Sequence, residues 1–194
     1  MEIGLYDKTL PVTRHIDVTQ PHWDIIEPRL AALDGLDDRL QQPEILALRP
    51  TFALIRQITV FVAVQFGVHR MTRSFVDTAE GHFFWHVSDL AAPGYSTPER
   101  VLSYLLHDAH HVRQRLNGDT DKQLDSLVRR EVDATTVQHD FALVACAGDP
   151  GFIQFLDDFR RDPEAIKRRL STGVGMLASI LFGRPRHEEH LTIF

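Results

Sequence analysis

The chain has 194 residues, of which 43% are hydrophobic, and this is enough for one compact domain with a buried core. Its formal net charge of −6 argues against a general nucleic-acid binder, because phosphate contacts require a clustered basic surface. The single cysteine, Cys146, cannot form an internal disulfide, and its apolar neighbours predict a buried thiol.

The N-terminal residues and the hydropathy suggest where the protein acts. Residues 1–8 lack the basic start and the apolar stretch of a signal peptide, so we expect a cytoplasmic protein. The most apolar run, residues 58–64, is far too short to span a bilayer, and no membrane partner is expected. We expect one domain over 1–194, with an extended lead-in at 1–20 and a polar tail at 184–194. The oligomeric state is not indicated.

The first predicted elements along the chain are helices. Apolar residues recur at helical spacing from Pro21, and the pattern stops at Asp34 and Gly35. A longer apolar stretch begins at Pro43 and is interrupted by a second proline. It therefore predicts a short helix followed by a buried helix of about four turns that ends at Gly67.

The pattern then changes to that of β-strands. Residues 72–76 and 82–87 are rich in aromatic and β-branched side chains and are separated by a short turn segment, so they predict a small β-hairpin. Ser96 or Thr97 is expected to cap the next helix, with Glu99 placed for a capping box.

The rest of the chain is predicted to be helical. The capped helix ends near Asn117, and further helices cover residues 122–147 and 149–159. A last helix starts at residue 162 and extends towards Phe182. The expected fold is therefore mainly α (α+β), with a small hairpin or sheet before the helix that carries most of the chemistry.

That helix contains the sequence HDAHH, which places His107 and His111 four residues apart. Residues i and i+4 lie on the same face of a helix, so both imidazoles can bind one metal ion. Glu131 follows at the spacing at which a second, antiparallel helix would supply a third ligand. Two imidazoles and one carboxylate bind Zn²⁺ tetrahedrally and leave the fourth position to water. Zinc is the expected cofactor, and another divalent metal is compatible with the same ligands.

These residues resemble the zincin metallopeptidases, in particular the gluzincins, whose HExxH motif is followed by a glutamate ligand on the next helix. His107 and His111 match the paired ligands, Glu131 the third ligand, and Asp108 the general base. The resemblance covers roughly residues 72–159. It implies a zinc-dependent hydrolase that attacks a peptide or amide carbonyl, with a peptide or a small molecule as substrate.

Asp108 departs from the family pattern, which has glutamate at this position. Aspartate is one methylene shorter and would hold its carboxylate about 1 to 1.5 Å further from the attacking water. A zincin-like binding domain with an intact metal site and no catalysis is therefore an alternative. Asp133 is a further candidate, as a hydrogen-bond acceptor for a ligand imidazole.

A second resemblance uses the same residues differently. The run from Leu105 to Asp108 is similar to the LLHD sequence of the HD-domain phosphohydrolases, in which adjacent His and Asp both ligate a metal. It implies hydrolysis of a nucleotide or another phosphate ester. The remaining ligands would come from an upstream histidine and a downstream aspartate: His69, His82 or His86, and Asp133 or Asp140.

Other polar residues near the motif have simpler expected roles. His110 should point away from the paired histidines, and His139 with Asp140 should form a structural pair. Tyr95 and Tyr104 are expected to be hydrogen-bonded structural tyrosines.

Overall fold

The structure, a computed structural model, describes residues 1–66, 69–171 and 191–193. The strands are β1 (Glu2–Leu5), β2 (Lys8–Arg14), β3 (Gln57–Phe61), β4 (Val64–Phe66), β5 (His69–Met71), β6 (Phe75–Asp77), β7 (His82–His86) and β8 (Leu191–Ile193). The helices are α1 (Gln20–Ala31), α2 (Leu36–Arg39), α3 (Pro43–Leu46), α4 (Arg49–Phe52), α5 (Val87–Ala91), α6 (Pro98–Leu116), α7 (Leu124–Ala145), α8 (Pro150–Arg161) and α9 (Pro163–Ser171). The predicted α+β class is confirmed.

The main sheet is larger than the predicted hairpin. It has six strands in the order β1-β2-β3-β7-β6-β8, and β4 and β5 form a separate antiparallel pair. Strand β3 is parallel to both β2 and β7, whereas the outer pairs are antiparallel. The predicted hairpin is confirmed as β6 and β7, which now lie inside this mixed sheet.

The prediction of a buried helix between the second proline, Pro50, and Gly67 is wrong. Its place is taken by α4, the central strand β3 and the short strand β4. Ile58 and Val60 are fully buried, and a parallel strand covered on both faces has an almost continuous apolar sequence. Such a run cannot be distinguished from a buried helix by periodicity alone, although its β-branched residues favour a strand. Gly67 lies outside the described residues.

The expected lead-in is extended but is part of the sheet. Strands β1 and β2 form a hairpin, with Tyr6 and Asp7 in its turn at φ 50° and 61°. Positive φ at both central residues matches the right-handed twist of the strands. Apolar side chains alternate along both strands and are buried: Ile3, Leu5, Leu10 and Val12.

Helices cover one face of the main sheet. Side chains of β3 and β7, such as Val60 and Trp85, share a core with Leu30 of α1 and Leu105 of α6. On the opposite face a smaller aromatic cluster joins β3 and β6 to the β4–β5 pair through Phe61, Phe75 and Met71. Helix α6 is therefore fixed against the sheet along its apolar side.

The predicted helix boundaries at α1, α6, α7 and α8 agree with the structure to within about two residues. Thr97 caps α6, since its Oγ1 accepts a hydrogen bond from the Arg100 backbone at 3.3 Å. Helix α9 is described to Ser171, and its expected continuation to Phe182 and most of the polar tail lie outside the described residues. None of the helices in the described ranges combines the length and the hydropathy needed to cross a bilayer.

Candidate metal centre

Helices α6 and α7 bring together the three residues that the sequence predicts as ligands. The helices run antiparallel, because Gln138 contacts Ser103 near the start of α6 and Arg130 contacts Gln114 near its end. His107, His111 and Glu131 therefore meet between them, with candidate ligand atoms within 4.8 Å of one another.

The carboxylate–imidazole separations in this group suit a metal ion better than direct hydrogen bonds. The two Nε2 atoms are 3.1 Å apart, and Glu131 lies 3.6 Å from His107 and 3.4 Å from His111. The carboxylate distances exceed the usual 2.7 to 3.2 Å of an N–H···O hydrogen bond. Tetrahedral ligands about 2.0 to 2.1 Å from one ion lie about 3.4 Å apart. The group could hold a metal ion, and the role of these residues as ligands stays a prediction.

Although the group is buried, Glu131 favours the ionised form and His107 the neutral form. Burial acts to raise the pKa of Glu131, but the two neighbouring imidazoles outweigh it, so the pKa falls well below its usual range. Burial also lowers the pKa of His107, against the opposing effect of Glu131. An ionised carboxylate beside a neutral imidazole is the protonation state that metal binding requires.

Gln114 orients one of the imidazoles, and the sequence analysis missed it. Its Nε2 donates to the Arg130 carbonyl and to Asp133, both at 3.0 Å, so its Oε1 must face His111. Nδ1 of His111 donates to this oxygen at 2.8 Å, which leaves Nε2 free to bind a metal. The available sequence signal was an amide three residues after a ligand, on the same face of the helix.

Asp133 does not contact a ligand imidazole directly. Its Oδ2 accepts from Gln114 and lies 2.7 Å from Nε2 of His110. Its hydrogen-bond connection to His111 therefore runs through Gln114. His110 is not one of the three grouped ligand candidates and pairs with Asp133 instead.

Asp108 occupies a different environment from the three ligand candidates. Its side chain is buried, and Oδ1 has no hydrogen-bond partner among the described residues. Burial raises its pKa well above the usual range, and the charge of Glu131 adds to this. Burial raises the pKa values of Tyr95 and Tyr104, and the charge of Asp108 adds to this.

A cavity of about 730 Å³ opens beside the ligand group. His107 and Glu131 line it, as do Tyr95 and Tyr104, whose rings stack at 4.5 Å. Asp108 is not among the described residues that line this cavity. The volume lies within the range typical of small-ligand sites.

The other ligand candidates lie apart from this group. His82 and His86 interact with Thr59 and Ser88, and Asp140 lies beside His139 at 3.4 Å. The side chain of His69 lies outside the described residues. The side chains that the structure describes therefore give the arrangement of an HD-type site no support.

Searches of family models, curated proteins and solved structures found no match to this chain.

Proposed function

We propose that the protein is a metal-dependent hydrolase that holds zinc through His107, His111 and Glu131. The supporting observation is the group of three ligand atoms within 4.8 Å of one another, two of which belong to residues that line a cavity, His107 and Glu131. The order of the ligands along two consecutive helices is the one implied by the gluzincin resemblance. A peptide or amide is the proposed substrate, and a cytoplasmic location stays a prediction.

The chain supplies the remaining chemistry through a small set of residues. A metal ion held here would provide Lewis-acid activation of water and of a substrate carbonyl. Asp108 is the proposed base, with Oδ1 as the proton acceptor, because it directly follows the first ligand and Oδ1 has no hydrogen-bond partner among the described residues. Gln114 holds His111 in the tautomer that presents Nε2.

A binding domain without catalysis is the second candidate, and the position of Asp108 favours it. A buried carboxyl that does not line the cavity has no direct path to a water molecule there. In this case the metal would stabilise the α6–α7 pair and the cavity would bind a ligand without cleaving it.

Both candidate functions require the metal site, and zinc binding tests this requirement. We expect about one zinc per chain in the purified protein and a loss of at least tenfold in zinc affinity in Glu131→Gln, because one ligand is removed. Asp140→Asn is the matched control, since Asp140 is an exposed acid on the same helix. Equal zinc affinity in all three proteins would contradict the site.

Asp108 then separates the two candidates in the same preparations. Asp108→Glu restores the longer acid of the gluzincin pattern. This variant should retain the metal and hydrolyse general peptide substrates faster than the wild type does. Loss of metal in this variant would instead indicate that Asp108 is a ligand. If the wild type and Asp108→Glu both retain the metal and neither hydrolyses a peptide, the result would favour the binding domain.

A further inference from the structure

The cavity beside the ligand group contains more positive charge than the rest of the molecule would suggest. The whole chain has a net charge of −6, yet among the described residues three arginines line this one cavity: Arg70, Arg73 and Arg169. The acidic residues that the described part of the chain contributes to its wall are Asp89 and Glu131. Both are engaged, since Asp89 accepts hydrogen bonds from Ser74 and Glu131 faces the two imidazoles.

Two of these arginines are available to a ligand. Arg70, on β5, and Arg73, in the segment that leads to β6, are both exposed. In the described part of the chain neither guanidinium forms a salt bridge or a side-chain hydrogen bond. Arginine binds a carboxylate through two parallel N–H···O bonds.

A second wall of the cavity is largely apolar. Helix α8 contributes Phe155 and Phe159, whose rings stack at 6.2 Å, and α9 contributes Ile166 and Leu170. Phe155 is 54% exposed although it is a large aromatic residue, so its ring is accessible to an apolar group. A ligand that suits both walls is anionic at one end and apolar at the other.

We propose that the substrate or ligand of this cavity is a peptide that carries a carboxylate, bound by Arg70 and Arg73, next to a large apolar side chain that packs on Phe155. The proposal rests on the proposed function for its choice of a peptide. The carboxylate belongs either to an acidic side chain or to the C-terminus of the peptide. Both sources present the same charge and the same pair of acceptor oxygens to the arginines.

Binding of four matched peptides tests this without requiring hydrolysis. Each is a fluorescent pentapeptide containing one phenylalanine; one carries an internal glutamate and another its glutamine counterpart, both with amidated C-termini. The remaining two lack the acidic side chain and end in a free carboxylate or in an amide. Fluorescence anisotropy with the purified full chain should show at least one carboxylate peptide binding about tenfold more tightly than its amide counterpart.

The double variant Arg70→Gln/Arg73→Gln should abolish this preference. Arg39→Gln is the matched control, because Arg39 is an exposed arginine on α2 that does not line the cavity. A preference for the glutamate peptide identifies a side-chain carboxylate, and a preference for the free C-terminus identifies a terminal one. Equal binding of acid and amide peptides, or a preference that survives in the double variant, would overturn the proposal.

The metal assay keeps this result separate from the proposed function. If Glu131→Gln retains its zinc but the arginine-dependent preference is present, the metal site fails and the anion site stands. If zinc is lost as expected and the preference is absent, the metal site stands and the assignment of the substrate class fails.

Discussion

At the scale of single residues, the ligand candidates could be predicted from the sequence because their geometry is local. The spacing of His107 and His111 follows from the repeat of one helix, and Glu131 requires only that the next helix returns antiparallel. Gln114 could not be assigned in the same way, because its role depends on Arg130 and Asp133 from the second helix. Contacts between elements are what sequence patterns do not specify.

Gln114 offers a test of how a positioning residue affects the metal. We expect Gln114→Leu to weaken zinc binding about 10- to 100-fold, because His111 loses the acceptor that fixes its tautomer and ring orientation. Affinity is measured by competition with a chromophoric chelator.

Gln138→Leu is the control for this substitution. Gln138 is also a buried glutamine between α6 and α7, but it bonds to Ser103 and touches no ligand candidate. An equal loss of zinc affinity in both variants would mean that Gln114 acts through general packing and not through His111.

At the scale of elements, helices were predicted more accurately than strands. Helix α6 has a capping threonine, a proline in its first turn and a glycine just beyond its end, all of which are local signals. Strand β3 has none of these, and its burial comes from β2, β7 and the layers on either face. Its identity as a strand thus depends on partners about 25 to 45 residues away in the chain.

The turn between β6 and β7 depends on Gly81 for two separate reasons. Its φ is +65°, and a Cβ atom there would lie only 2.2 Å from the Leu54 carbonyl oxygen. We expect Gly81→Ala to lower the free energy of unfolding by about 3 kcal/mol or more, since backbone must move as well as adopt a strained φ. Urea denaturation measures this change.

Gly118 separates the cost of the positive φ from the cost of the close backbone contact. Its φ is +83°, but nothing lies within 4 Å of an added Cβ. Gly118→Ala should therefore cost only about 1 kcal/mol, from the left-handed conformation alone. If the two alanine variants were equally destabilised, the short distance to Leu54 would not be a reason for glycine at position 81.

At the scale of the whole molecule, a line of polar side chains crosses three strands of the main sheet. Thr13 on β2 and Thr59 on β3 have their Oγ1 atoms 2.7 Å apart, and Thr59 lies 2.7 Å from Nε2 of His82 on β7. A neutral imidazole has one donor and one acceptor nitrogen, and the Thr59 hydroxyl can pair with either kind, so the neutral ring completes this line. Protonation of His82 would place a charge on a partly buried ring at the end of the line.

His82 therefore links the stability of the sheet to pH. Burial lowers the pKa of His82 from 6.5 to about 4 in the folded protein, while the unfolded chain keeps the ordinary value. Between these two values the unfolded state binds a proton that the folded state does not. The stabilisation is thus fully present above about pH 6.5 and is lost as the pH falls towards 4.

We expect this loss to be about 1 to 2 kcal/mol, less than a full conversion of the pKa shift, because the ring is only partly buried. His82→Gln keeps a hydrogen-bonding group for Thr59 but does not titrate, so its stability should fall less steeply between pH 6.5 and 4. His22→Gln, on α1, controls for the loss of an imidazole elsewhere. Urea denaturation of the three proteins across this range measures the slopes, and parallel slopes for the wild type and His82→Gln would refute the assignment. Carboxylates throughout the molecule also protonate over this range, but they are common to all three proteins, so the difference in slope belongs to His82.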